Sequence, residues 1–175
     1  MKQILAIALF ILCSLAVQRS LASAEDPWAS LRFLEGTWEA RSAAGSSGAQ
    51  VSGSYTFKRE LREHILARRT DDDTTCKGPK DFDCRHRDLL YVFQEAQGQP
   101  LEGIYFDNEG HVIHYEVSAP KENTVIFLSP ESAGPQFRLV YELKDAVMSG
   151  KFQMQMPGQA DWKSYLEWAG RRKKE

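Results

Sequence analysis

Beyond residue 36 the chain runs in short apolar stretches, each ended by a turn signal after about eight to twelve residues, which is the rhythm of an antiparallel meander. Ten stretches can be delimited: 38–41, 51–58, 65–69, 89–94, 101–106, 112–117, 124–128, 137–143, 147–154 and 162–168. Their separators suit chain reversal: Ala44-Gly45-Ser46-Ser47-Gly48, Gln97-Gly98-Gln99-Pro100, Asp107-Asn108-Glu109-Gly110, Ser132-Ala133-Gly134-Pro135 and Pro157-Gly158. Late in the chain the alternation is clean. Phe137, Leu139, Tyr141 and Leu143 share one face while Arg138 and Glu142 share the other, and Trp162, Leu166 and Trp168 oppose Lys163, Glu167 and Arg171. One apolar face and one wet face make a barrel wall. The expected fold is therefore all-β, an up-and-down antiparallel barrel of about ten strands.

Two segments need separate treatment. In residues 58–69, Leu61, Ile65 and Arg68-Arg69 fit an amphipathic helix as well as a hairpin, and we read a hairpin turning at Leu61 to Glu63. Ahead of the strands, Asp26-Pro27 supplies an N-cap and a first-position proline. Trp28, Leu31, Phe33 and Leu34 supply an apolar face, so a short helix is expected before Gly36.

The N-terminus reads as an export leader, with Lys2 before an apolar run from Ile4 to Val17 and Ala22-Ser23-Ala24 as a cleavage site. The run is too short for a comfortable membrane span. Cys13 lacks the preceding small residue that a lipid-anchor site calls for, since Leu12 stands there. Removing residues 1–24 leaves 151 of the 175 residues, one domain over 25–175, and takes the formal charge from −2 to −4 because Lys2 and Arg19 leave with it. No basic footprint for nucleic acid results. The remaining cysteines, Cys76 and Cys84, flank a turn-rich loop and are expected to form a disulfide in an oxidising compartment, periplasmic or secreted. A zinc reading of the two thiols with His86 falls one ligand short.

The ten-strand meander, Gly36-Thr37-Trp38 after a short helical turn, and a C-terminal arginine together resemble the calycin superfamily of lipocalin-like and fatty-acid-binding-protein-like barrels. The resemblance implies that Trp38 sits on the barrel floor, following Gly36, and that Arg171 or Arg172 crosses it. It also implies an interior that is either packed or holds one small ligand.

Alternation places a large set inside: Tyr55, Phe57, Tyr91, Phe93, Tyr105, Ile113, Tyr115, Phe127, Leu139, Tyr141, Phe152, Met154 and Trp168. These are the candidate cavity residues. His111 and His114, three apart on a strand, face opposite ways, whereas His64 and His111 are the pair considered for a polar spot within. No histidine follows His114, unlike the haem-binding barrels of the nitrobindin type, so no cofactor is expected. The acids Asp71-Asp72-Asp73, Asp81, Asp83 and Asp88 lack regular calcium-loop spacing and read as solvated. Neither a nucleophile elbow nor a phosphate-binding glycine loop occurs. The expected function is non-enzymatic binding of a small hydrophobic or amphipathic molecule. The alternative is a filled barrel that serves structure or protein interaction through its loops.

Overall fold

Asp26 Oδ1 accepts the Trp28 N–H at 3.0 Å, but Asp26 and Pro27 lie ahead of the helix and are not its N-cap and first residue: Trp28 holds the N-cap position without a side-chain cap, and Ala29–Leu34 winds into a 3-10 helix. Leu31 and Leu34 point into the core, and Gly36 then turns the chain with φ 111°, a conformation that side-chain-bearing residues rarely adopt. The computed structural model describes residues 26–43, 47–71 and 73–174. The leader-like residues 1–24, with Cys13, lie outside them.

Eleven strands follow: β1 (Gly36–Ser42), β2 (Gln50–Glu60), β3 (Ile65–Thr70), β4 (Thr75–Lys77), β5 (Asp88–Phe93), β6 (Glu102–Asp107), β7 (Val112–Lys121), β8 (Thr124–Leu128), β9 (Gln136–Lys144), β10 (Val147–Gln155) and β11 (Lys163–Arg172). Every neighbouring pair is antiparallel, and β1 pairs with both β2 and β11, so ten of the strands close into a barrel. Strand β4 pairs only with the start of β2, through Gln50, Val51 and Ser52. Residues 58–69 form the expected hairpin rather than a helix: Leu61, Arg62 and Glu63 all take positive φ, between β2 and β3. Among the described residues no helix is long and apolar enough to cross a membrane.

The register decides which side chains enter. Tyr55 and Phe57 of β2 stand opposite Thr70 and Arg68 of β3, and Arg68 stands opposite Leu90 of β5. The inward row of β5 is therefore Asp88, Leu90 and Val92, and the last two are fully buried. Tyr91 and Phe93, expected inside, lie on the other face. There the Arg69 guanidinium stacks over the Tyr91 ring and donates to its hydroxyl at 3.2 Å. Trp162 is also moved. A bulge at Phe152/Gln153 shifts β11 against β10, and Trp162 lies outside the cavity with the Arg138 guanidinium 4.2 Å over its ring.

At the floor, Trp38 is buried and its Nε1 donates to the Leu34 carbonyl at 2.7 Å. The residue that crosses it is Arg172, not Arg171. Trp38 is the direct partner of Arg172 in the β1–β11 ladder, whereas Arg171 pairs with outward-facing Glu39. The Arg172 guanidinium lies 4.5 Å from the Trp38 ring centre and donates to the Glu35 and Phe33 carbonyls, tying the helix to the last strand.

Gly150 stands between two large rings of the inner wall, paired with Trp168 on one side and Tyr141 on the other. A methyl group there would fall within the Trp168 indole. Gly150→Ala should therefore cost about 1–3 kcal/mol through overpacking, read as a lowered urea midpoint. An unchanged midpoint would show that the indole has room to move.

Candidate ligand-binding site

Two halves divide the interior. On the Trp38 side, Leu31, Leu34, Phe57, Leu66, Val92, Val125, Phe127 and Met148 fill the barrel with fully or nearly fully buried side chains. Toward the other end the packing stops at a cavity of about 670 Å³. Its wall is mainly apolar: Leu90, Ile113, Phe137, Leu139, Phe152 and Met154 line it, with the rings of Tyr55, Tyr105, Tyr115, Tyr141, Tyr165 and Trp168. Of the expected cavity residues, Phe57 and Phe127 belong to the packed layer beneath, and Tyr91 and Phe93 are outside. The remainder line the space.

The aromatic rings at the base brace one another. Tyr141 lies 5.3 Å from Phe57, 6.3 Å from Phe127, 6.2 Å from Tyr55 and 5.7 Å from Trp168, three of these contacts edge-on. Such a network fixes ring orientation, so the hydroxyls at the ring tips are held in place.

An ion pair that strand patterning did not single out crosses this half of the barrel. Arg68 Nη1 meets Asp88 Oδ2 at 2.5 Å, and Thr70 Oγ1 donates to Asp88 Oδ1. Both residues line the cavity. Burial alone would push the Asp88 carboxyl up, but the Arg68 charge and hydrogen bonds from Thr70 and Arg68 outweigh it and hold the group below the ordinary value of 3.8. Burial works against the Arg68 cation too, yet Asp88 keeps it firmly protonated. The pair is charged, and it balances itself.

The tyrosines beside it are driven the other way. Burial first, then the nearby Asp88 carboxylate, raises the hydroxyls of Tyr105 and Tyr115. Tyr141 rises through burial despite the opposing Arg68 charge. These hydroxyls stay neutral donors at any physiological pH.

At the mouth, polar side chains from the disulfide loop and the β6–β7 turn meet. Cys76 and Cys84 are joined by a disulfide. Within the loop it closes, Phe82 stacks on Tyr165 at 6.3 Å. His86 bridges Tyr105 Oη (Nε2, 3.0 Å) and Glu109 (Nδ1, 2.7 Å), while His111 Nδ1 meets Asp107 at 2.8 Å. His86, Asp107 and Glu109 bring potential metal-binding atoms within 4.8 Å of one another, but both nitrogens of His86 are engaged by these hydrogen bonds. His64 is exposed in the β2–β3 turn at the opposite end and is not part of a polar spot with His111. Asp72 lies outside the described residues; of the other acids, Asp71 and Asp73 converge on Ser54, Asp81 and Asp83 stand at the mouth, and Asp88 is inside with Arg68.

Sequence reasoning missed Arg68, Asp88 and His86 as site residues. A signal for the first was present. Arg68 shares strand parity with Leu66, and the turn at Leu61 to Glu63 makes that parity the inward one. Comparison with protein-family models and with curated proteins finds no match for this chain, so the site has to be interpreted from its own geometry.

Proposed function

We propose that this chain is an exported, non-enzymatic binding protein that holds one small, mostly apolar molecule inside its barrel. One observation carries the reading: a continuous cavity of about 670 Å³ above a packed floor, walled by aliphatic and aromatic side chains. Pockets for small molecules typically span roughly 300–1,000 Å³ and combine an apolar wall with a few placed polar groups. A barrel serving only as a scaffold would gain by filling this space, since empty volume forfeits dispersion contacts.

Membership of the calycin superfamily belongs to the same proposal. It is supported by Trp38 on the floor after a short helix and by a C-terminal arginine over its ring. Export is supported by the leader-like residues 1–24 and by the Cys76–Cys84 disulfide.

The test is extraction of small molecules from protein purified natively from its own compartment, followed by mass spectrometry. A recurrent apolar or amphipathic compound, absent from a Trp168→Arg variant that blocks the cavity, is the expected result. Protein that carries nothing and takes up no apolar probe in saturable fashion would count as the filled-barrel alternative.

A further inference from the structure

At the mouth of the cavity, Asn108 clamps the β6–β7 turn to the segment that follows the disulfide loop. Its N–H donates to the Arg87 carbonyl at 3.1 Å, its Oδ1 accepts the Arg87 N–H at 2.8 Å, and its Nδ2 donates to the Arg85 carbonyl at 3.1 Å. The clamp sets His86 against Asp107 and Glu109. One potential ligand atom from each of these three comes within 4.8 Å of the others, and His111 Nδ1 stands 2.8 Å from Asp107 Oδ2. All four residues line the cavity.

Two imidazoles and two carboxylates form a mixed nitrogen and oxygen donor set. Such a set suits a borderline divalent ion such as Zn2+, whereas Ca2+ takes about six to eight oxygens. Charge agrees, since two carboxylates balance a divalent ion held by neutral imidazoles. Asp88 is taken by Arg68, so the carboxylates of Asp81, Asp83, Asp107 and Glu109 outnumber the cations near them, Arg41 and the exposed Arg85 that lies 3.7 Å from Asp83.

The hydrogen bonds that engage the histidines mark where an ion would sit. His86 Nδ1 lies 2.7 Å from Glu109 and His111 Nδ1 lies 2.8 Å from Asp107, and a metal ion takes the place of a proton shared in such contacts. With Nδ1 bound, the His86 ring turns its Nε2–H to Tyr105 Oη at 3.0 Å, and Tyr105 donates in turn to Asp107 Oδ2 at 3.4 Å. A fixed partner on the second ring nitrogen is what orients a metal-bound imidazole. Asp107 Oδ1 meanwhile accepts the N–H groups of Glu109 and His111 at 3.0 and 2.9 Å, which holds the turn. Ligand atoms of tetrahedral zinc, with bonds near 2.0 Å, stand about 3.3 Å apart, so closing the site takes side-chain shifts of roughly 1 Å. The side chains of His86, Glu109 and His111 are 36 %, 39 % and 64 % exposed, which leaves room for them.

We infer that the cavity mouth binds one divalent transition-metal ion of the zinc class, held by His86 Nδ1, Asp107 Oδ2, Glu109 and His111. The ion joins the segment after the disulfide loop to the β6–β7 turn and so fixes one side of the rim. The inference does not depend on what the cavity holds.

The test uses chelator-treated protein with its disulfide intact, titrated with ZnCl2 by calorimetry and with CoCl2 by visible absorption. One Zn2+ per chain, a Tm raised by zinc, and the strong visible bands of four-coordinate Co2+ are the expected results. Glu109→Gln changes an exposed side chain by little more than its charge, and it should weaken zinc binding at least about tenfold, as should His86→Gln; tenfold is the loss that even a partner behind the ligands costs. Both variants should lose most of the zinc-dependent rise in Tm. His64→Ala, at the opposite end of the barrel, should bind zinc as the wild type does. Absent or unsaturable zinc uptake, uptake that Glu109→Gln and His86→Gln leave unaltered, a loss in His64→Ala, or tighter binding of Ca2+ than of Zn2+ would each overturn the inference.

Discussion

Replacing Asp88 by alanine should cost about 3–5 kcal/mol, because it leaves the Arg68 guanidinium buried with no counter-charge. A domain of this size commonly has a total stability of only about 5–15 kcal/mol, so much of the margin would go. Asp88→Asn should be milder, since its single amide oxygen can still accept from Arg68 while its NH2 group, in place of the other oxygen, can donate to the Thr70 hydroxyl. Replacing both members of the pair by apolar residues of matching volume should recover most of the loss, because the expense lies in the widowed charge more than in the absent attraction. The pH dependence has a definite sign. The Asp88 carboxyl titrates below its ordinary value of 3.8 in the folded state, so its contribution is fully present above that value and is lost as pH falls through the lower folded-state pKa. Urea denaturation of the wild type and of Asp88→Ala at neutral pH and at a series of acid pH values checks both statements: the gap between the two proteins should be wide at pH 7 and should narrow on acidification. A gap under about 0.5 kcal/mol at pH 7, the range of ordinary surface substitutions, would mean that water in the cavity solvates Arg68 well enough to replace its partner.

Most strands were readable because they are bounded by residues whose backbone preferences are local. Gly98, Gly110 and Gly158 adopt positive φ in their turns, whereas the β9–β10 hairpin turns at Asp145-Ala146, which the sequence reading did not single out. The resemblance, and no feature of Gly36-Thr37-Trp38 taken alone, pointed to a floor at Trp38, where the structure places a buried indole bonded to the Leu34 carbonyl. Even the choice between Arg171 and Arg172 was open to parity. Trp168, Gly170 and Arg172 share a face of β11, and Arg171 shares the other with Glu167.

Facing was not readable where a strand is apolar on both sides. In β5, Leu89, Leu90, Tyr91, Val92 and Phe93 offer no polar residue to mark the outside, and ring size favoured the wrong row. Pairing across the barrel corrects it: β3 sets Leu66 against Val92 and Arg68 against Leu90, and the charge at Asp88 enters on the same parity. The polar half of the site is of the same kind. Arg68 and Asp88 lie on neighbouring strands, but only the register brings their side chains together, and an inward arginine contradicts the rule that barrel interiors are apolar until its partner is known. The short strand β4 was missed because three residues carry too little periodicity to be distinguished from loop.

Trp38 and Tyr141 are both large, aromatic and buried, but they should respond differently to truncation because one lies in the packed floor and the other at the edge of the cavity. Trp38→Ala removes an indole from the packed floor, abandons the Leu34 carbonyl it bonds at 2.7 Å, and takes away the ring under Arg172. Transfer and cavity terms both apply, for a loss of about 3–5 kcal/mol. Tyr141 is packed on one side by Phe57, Phe127, Tyr55 and Trp168, and on the other it borders the cavity. Tyr141→Ala therefore enlarges a space that already exists instead of creating one, and its cost should be closer to the transfer term alone, about 1.5–3 kcal/mol. Tyr141→Phe goes further: deleting a hydroxyl that has no partner in the protein should leave stability unchanged or slightly raised. Thermal and urea unfolding of the three variants without added ligand gives the order. If Tyr141→Ala falls as far as Trp38→Ala, the upper barrel is packed as tightly as the floor and has no preformed pocket. If Tyr141→Phe costs more than about 1 kcal/mol, its hydroxyl already has a partner of about one hydrogen bond's worth.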